Sequence, residues 1–189
     1  MAKQFPELSE THQSFIEKQH LFFVGSPGAE GYINISAKGM DSLRILSPTR
    51  VLWLNLTGSG NETATHVAEI PCMTLMFVSF CARPMILRLY GSARAVHRLD
   101  EDWDALAAHF PPSAGARQIF DLGIEMVQSS CGYAIPFFDY KGERDTLAKW
   151  AEDRGEDGVR RYWAERNTHT INGYSTDIVE KNIEPGARI

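Results

Sequence analysis

The sequence predicts a mainly β chain: an antiparallel Greek-key barrel or sandwich with helices at its ends and one helix inserted. Three observations carry this. About seven short apolar or alternating runs crowd the first two thirds of the chain, the signature of an all-β core. Turn residues such as Ser26-Pro27-Gly28 and Ser47-Pro48 separate them, too closely for the strand–helix alternation of a doubly wound sheet. At 189 residues the chain is long enough for one self-supporting core.

Taken in order, Ser9 to Gln19 suits a short amphipathic helix carrying Phe15 and Ile16. Leu21 to Gly25 reads as a buried strand, and Tyr32 to Lys38 as an alternating one. Leu43–Leu46 is a short strand stopped at Ser47-Pro48. The apolar run Arg50 to Leu56 implies a strand buried on both faces. Ser59 and Glu62 fit a capping box, so a helix is predicted from Asn61 to Glu69, ending before Pro71. Met73 to Phe80 is a core strand; Met85 to Tyr90 is another, with Gly91 marking a bulge before Ala93–His97. Asp100 is placed to cap a helix with Trp103, Leu106 and Phe110, stopped by Pro111-Pro112. Ile119 to Met126 alternates and favours a strand with one wet face, a helix being the alternative. Asp145 starts a helix that ends at Gly155, and a second helix holds Val159, Tyr162 and Trp163. Trp150, Tyr162 and Trp163 are helically spaced and read as core or dimer-interface anchors. The tail from Thr168 is polar and turn-rich, either extended or wrapped on a partner.

Composition excludes several classes. The net charge is −5 and the basic residues form no stripe, which argues against nucleic acid or an anionic membrane as partner. No apolar run approaches a membrane span, and the N-terminus lacks a signal-peptide core. Three cysteines, odd in number and widely spaced, read as free thiols in a reducing compartment, so a cytoplasmic protein is expected. Cys72 and Cys81 read as packing residues and Cys131 as a buried structural cysteine. The histidines show neither HxH nor HExxH spacing, so no metal site is expected, and His66 reads as a surface residue. GxGxxG and P-loop patterns are absent.

Two stretches carry the functional signal. In the strand from Tyr32 to Gly39, Ile33, Ile35 and Ala37 share one face, and Asn34, Ser36 and Lys38 the other. An amide, a hydroxyl and an ammonium in a row can hold a polar heterocycle or an anion. Gly58-Ser59-Gly60-Asn61-Glu62-Thr63-Ala64-Thr65 is a glycine-rich turn opening a helix, a geometry that cradles phosphate. Asn61, Thr63 and Thr65 are its candidate phosphate ligands. Together the two stretches point to a phosphorylated aromatic cofactor.

The order of Asn34-Ile35-Ser36-Ala37-Lys38-Gly39, Trp53-Leu54-Asn55, Gly60-Asn61-Glu62-Thr63 with Pro71 beyond, and Arg88-Leu89-Tyr90-Gly91 resembles the split-barrel family named after pyridoxamine 5′-phosphate oxidase. Leu56 to Thr63, Ile86 to Gly91 and Ser130-Cys131-Gly132-Tyr133 mark the branch it resembles most. The resemblance implies an antiparallel Greek-key split β-barrel with peripheral helices, FMN as cofactor, and a homodimer with the flavin at the subunit interface. It implies that Lys38 lies near the flavin, that Trp53 and Leu54 contact the cofactor, and that Asn61, Glu62 and Thr63 stand where the oxidase has a phosphate-gripping Ser-Arg-Lys run. Two cations are thus replaced, leaving backbone N–H groups, Asn61, Thr63, Thr65 and Arg88 for the phosphate. A flavin-contacting glutamine is replaced by Ile86, and the arginines that bind the vitamin phosphate have no counterpart. True oxidase activity is therefore not expected.

The reading is an FMN-binding oxidoreductase acting on a small molecule, with residues 1–140 as the split-barrel domain and 141–189 as a helical extension packed on it. A non-catalytic flavin carrier or sensor, or a cofactor-free dimer, is the alternative. No acid or base is assigned; Tyr133 and Cys131 are candidates.

Overall fold

The computed structural model describes residues 2–187. Its strands are β1 (Lys3–Phe5), β2 (Leu21–Ser26), β3 (Asn34–Gly39), β4 (Leu43–Ser47), β5 (Arg50–Leu56), β6 (Cys72–Val78), β7 (Ile86–His97) and β8 (Ala116–Ser130). Its helices are α1 (Glu10–Ile16), α2 (Glu62–Glu69), α3 (Trp103–Ala107), α4 (Thr146–Arg166) and α5 (Ile178–Asn182). The strands form one curled antiparallel sheet in the order β3-β2-β6-β7-β8-β5-β4, a split barrel, with β1 added beside β8. The 15-residue β8 is long enough to pair β5 along its first half and β1 at its end.

The two sides of β5 explain its unbroken apolar run. Val51 and Trp53 enter the barrel interior, where Trp53 stacks on Phe120 at 4.7 Å and Phe22 packs on Phe77 at 5.7 Å. Leu52 and Leu54 face outward into a second cluster capped by Trp103, Leu106 and Phe110. A third cluster joins both halves of α4 to α5 through Ala151, Val159, Trp163 and Ile178. The Trp163 indole N–H donates to Thr57 Oγ1 at 2.9 Å, docking α4 on the barrel.

Local signals explain most element ends. Ser9 caps α1 in a reciprocal box with His12. Gly155, at φ 62° and ψ 178°, breaks α4 into the two helical segments expected from the sequence. Met85–Tyr90 and Ala93–His97 prove to be one strand, β7, with its register shift at Tyr90/Gly91. A Cβ at Gly91 would lie 1.9 Å from the Gly123 carbonyl oxygen, so only glycine permits the bulge. β8 starts three residues before Ile119 and ends four after Met126, and β1 escapes a sequence reading because three residues carry no period.

Several expectations are corrected. α2 begins at Glu62 with Asn61 as N-cap, and no side chain caps it, so the Ser59–Glu62 box does not form. Asp102, not Asp100, precedes α3; the Asp100 carboxylate instead accepts the His97 N–H at 2.8 Å. His66 is buried, its Nδ1 3.0 Å from the Ser26 carbonyl oxygen. Cys72, Cys81 and Cys131 are all exposed, because they fall at strand ends and in loops rather than on inward registers. The tail folds back on its own barrel: Thr65 Oγ1 donates to the Ser175 carbonyl, and α5 packs on α4.

Candidate functional site

At one end of the barrel the interior turns polar and opens into a cavity of about 730 Å³. Strand pleating produces the change. The inner face of β5 runs Val51, Trp53, Asn55, and that of β8 runs Leu122, Phe120, Gln118, each paired across the ladder. Asn55 Nδ2 donates to Gln118 Oε1 at 2.9 Å, and Gln118 Nε2 donates to Asn61 Oδ1 at 3.1 Å. This draws the Asn61 side chain sideways, away from capping α2.

The β3 strand supplies a second wall. Its polar row Asn34, Ser36, Lys38 is half-buried along the cavity, while Ile33 and Ile35 reach it only at the rim and are 71% and 70% exposed. This inverts the usual arrangement in which the polar row of a half-buried strand meets water. Asn34 Nδ2 donates to Thr63 Oγ1 at 3.0 Å, tying β3 to the start of α2. Lys38 Nζ lies 5.0 Å from the centre of the Trp53 ring.

Arg117 forms the floor. It is 2% exposed and donates to the carbonyl of Gly60, to Asn167 Oδ1 and to Gln118 Oε1 at 2.8–3.0 Å. Among the described residues it makes no ion pair. Burial lowers its pKa to about 10. Lys38 is pushed down to about 8, by burial first and by the Arg117 charge second, with Glu62 opposing. The Glu62 carboxylate accepts the Ile171 N–H at 3.3 Å and lies against Gly60. Two cations thus face one carboxylate. Asn61 Nδ2 and Ser36 Oγ are buried and have no hydrogen-bond partner. Unpartnered donors, two cations and the uncapped first turn of α2 fit a phosphorylated heteroaromatic group.

Asn34, Ser36, Lys38, Trp53, Asn61, Glu62 and Thr63 therefore meet at the cavity, each on one of its walls. Leu54, Thr65 and Arg88 do not. Leu54 lies in the outer cluster under α3, Thr65 is bonded to the tail, and Arg88 donates to Ser130 Oγ at 3.3 Å. Tyr133 and Cys131 do not line this cavity. The sequence reading missed Arg117, Gln118, Asn167 and the tail residues His169 to Ile171, which close the cavity. Arg117-Gln118 had a visible signal: two strongly polar residues abutting the apolar start of a strand. Asn167 had none, since it reaches Gly58 and Ser59 over more than a hundred residues.

The sequence model of pyridoxamine 5′-phosphate oxidase matches residues 8–131. The chain belongs to the pyridoxamine 5′-phosphate oxidase family. A member of that family from Aspergillus flavus, the pyridoxamine 5′-phosphate oxidase family protein ustO, is 32% identical over 189 residues, covering 89% of this chain and 75% of ustO. Among solved structures, a point variant of HupZ from Group A Streptococcus superposes with a TM-score of 0.53 at 18% identity, covering 65% of this chain and 98% of that one. A candidate pyridoxamine 5′-phosphate oxidase from Lactobacillus delbrueckii gives 0.52 at 18% identity, with 65% and 94% covered. These two share the split-barrel fold. The family match takes in the barrel, α2 and Arg117, but stops before α4 and the tail that closes the cavity.

Proposed function

We propose that this family member binds FMN in the cavity and acts as an oxidoreductase, passing hydride or electrons to or from a small molecule, without being a true pyridoxamine 5′-phosphate oxidase. The observation that carries the reading is Arg117. A guanidinium buried among neutral acceptors is costly unless an anion joins it. It lies beside Gly60, at the loop where the phosphate grip is expected and where Glu62 and Thr63 supply no cation. A cation from β8 thus offers the charge that the start of α2 has lost.

FMN, when bound, supplies the electron-carrying ring system. Arg117, Asn61 and the first amides of α2 would hold its phosphate. Asn34, Ser36 and Lys38 would hydrogen-bond the polar edge of the ring, and Lys38 as a cation there would favour the anionic reduced form. The outward Ile33 and Ile35, with Ile171 at 75% exposed, leave apolar surface at the cavity rim that a second subunit would cover. This supports a homodimer with the cofactor at its interface.

The test is the visible spectrum of the purified protein. A yellow protein that releases FMN on denaturation, and is reduced by NAD(P)H and reoxidised by a small-molecule acceptor, supports the reading. A colourless protein that does not take up added FMN refutes it. Arg117→Met should weaken FMN at least about tenfold, as loss of charge-assisted hydrogen bonds would, while leaving the affinity for phosphate-free riboflavin nearly unchanged. Equal losses for both flavins would remove Arg117 from the phosphate site.

A further inference from the structure

Beside the cavity, and sharing Lys38, Gly58 and Ser59 with it, lies a second chamber of about 850 Å³. Its inner side is the β3 end, Ala37 to Met40, with His20 and Leu21. Its outer side is Tyr140 to Tyr162, from the part of the chain beyond the family match. Aromatic rings dominate that side. Tyr140 lies parallel to His20 with ring centres 3.5 Å apart, and Trp150 meets Tyr162 edge-on at 5.0 Å. The charges are Lys38, Arg144 and Glu143, and Glu143 already accepts the Tyr140 hydroxyl at 2.8 Å. Neither Lys38 nor Arg144 has a carboxylate partner among the described residues. The volume is that of a small-molecule site, and the lining combines stacking surfaces with spare positive charge.

We propose that this chamber is the site of the flavin's reaction partner, and that it takes a small aromatic molecule carrying an acidic hydroxyl or carboxyl group. The inference rests on the flavin reading for its chemistry, but not for its binding. The aromatic ring lies between Tyr140 and the Trp150–Tyr162 pair, and the acidic group lies toward Lys38, at the wall shared with the flavin cavity. FMN bound next door would supply the redox chemistry, while Tyr140, Trp150, Tyr162 and Lys38 would hold its partner against the shared wall.

The experiment uses 2-naphthoate, with cyclohexanecarboxylate as the non-aromatic control. It reads binding heat on the full chain as purified and flavin absorbance on the FMN-loaded protein. Naphthoate should bind well above the control. Tyr140→Ala should weaken it about fivefold, the size of one lost aromatic pair. Thr146→Trp, a filling change at an exposed position lining the chamber, should weaken it at least as much. Neither variant should alter FMN affinity, which also shows that both are folded. Naphthoate should shift the flavin absorption band. Binding that both variants leave intact, or that does not exceed the control, overturns the proposal. So does binding that leaves the flavin band unmoved. If the protein takes up no FMN yet naphthoate binding falls in both variants, the flavin reading fails and the aromatic site stands.

Discussion

The two ends of one barrel behave differently although the same strands build them. In the body, Trp53 stacks on Phe120 and both are essentially sealed from water. One pleat further along the same ladder, Asn55 faces Gln118 and begins a chain of amides leading to Asn61. The backbone alternation continues unchanged; only the side-chain chemistry switches. The body gains stability by burying apolar area. The polar end buries a guanidinium, an ammonium and two unpartnered donors, and so holds a structure that is costly by itself and suited to an anion.

The contrast is tested most forcefully in the body. Trp53→Ala should lower unfolding free energy by about 3–5 kcal/mol in denaturant titrations, the usual cost of truncating a fully buried aromatic. A loss below about 1 kcal/mol would mean that the body does not hold the fold.

The next effect belongs to Lys38. Its folded pKa is about 8 against 10.5 in the unfolded chain. Below pH 8 both states are charged and the full burial penalty is present. Between pH 8 and 10.5 the folded state gives up its proton while the unfolded state keeps it, so stability rises with pH across that window. Unfolding measured at pH 7.5 and 10.5 should show wild type gaining about 3 kcal/mol relative to Lys38→Met. FMN should act in the opposite sense: an anion favours protonated Lys38, so affinity should fall as pH rises above 8. A flat difference between the two proteins would place Lys38 in water.

Smaller changes probe the polar end. Asn61→Ala should shift stability by about 1 kcal/mol, because only its Oδ1 is engaged, while weakening FMN about tenfold by equilibrium titration. Glu62→Gln should give the smallest response, a few-fold tighter FMN as a carboxylate leaves the neighbourhood of the anion. If Glu62→Gln instead weakened FMN, its bond to the Ile171 N–H would matter more than its charge.

Much of this contrast is legible in the chain. All strands but β1 follow from alternating or unbroken apolar runs, Gly155 divides α4, and Gly91 marks the bulge. Lys38 and its polar row stand out because a strand carries them in alternation. The misplaced features share a cause. The Ser59–Glu62 box is a local rule that lost to distant partners, since Asn167 holds the Ser59 carbonyl and Ile171 holds Glu62. His66 and the three cysteines went the wrong way because burial depends on which face of the assembled sheet a residue meets.

Periodicity, glycine conformation and helix-start chemistry are properties of neighbouring residues. They suffice for an antiparallel barrel or sandwich, its bends and breaks, and a glycine-rich helix start beside a lysine-bearing strand; the split form is implied by the family resemblance. Three outcomes lie beyond their reach: Arg117 as the buried cation, the inward aim of Asn34, Ser36 and Lys38, and the closure of the cavity by residues from the tail. Those depend on contacts between segments far apart in the chain, fixed when the barrel curls and α4 docks through Trp163 on Thr57.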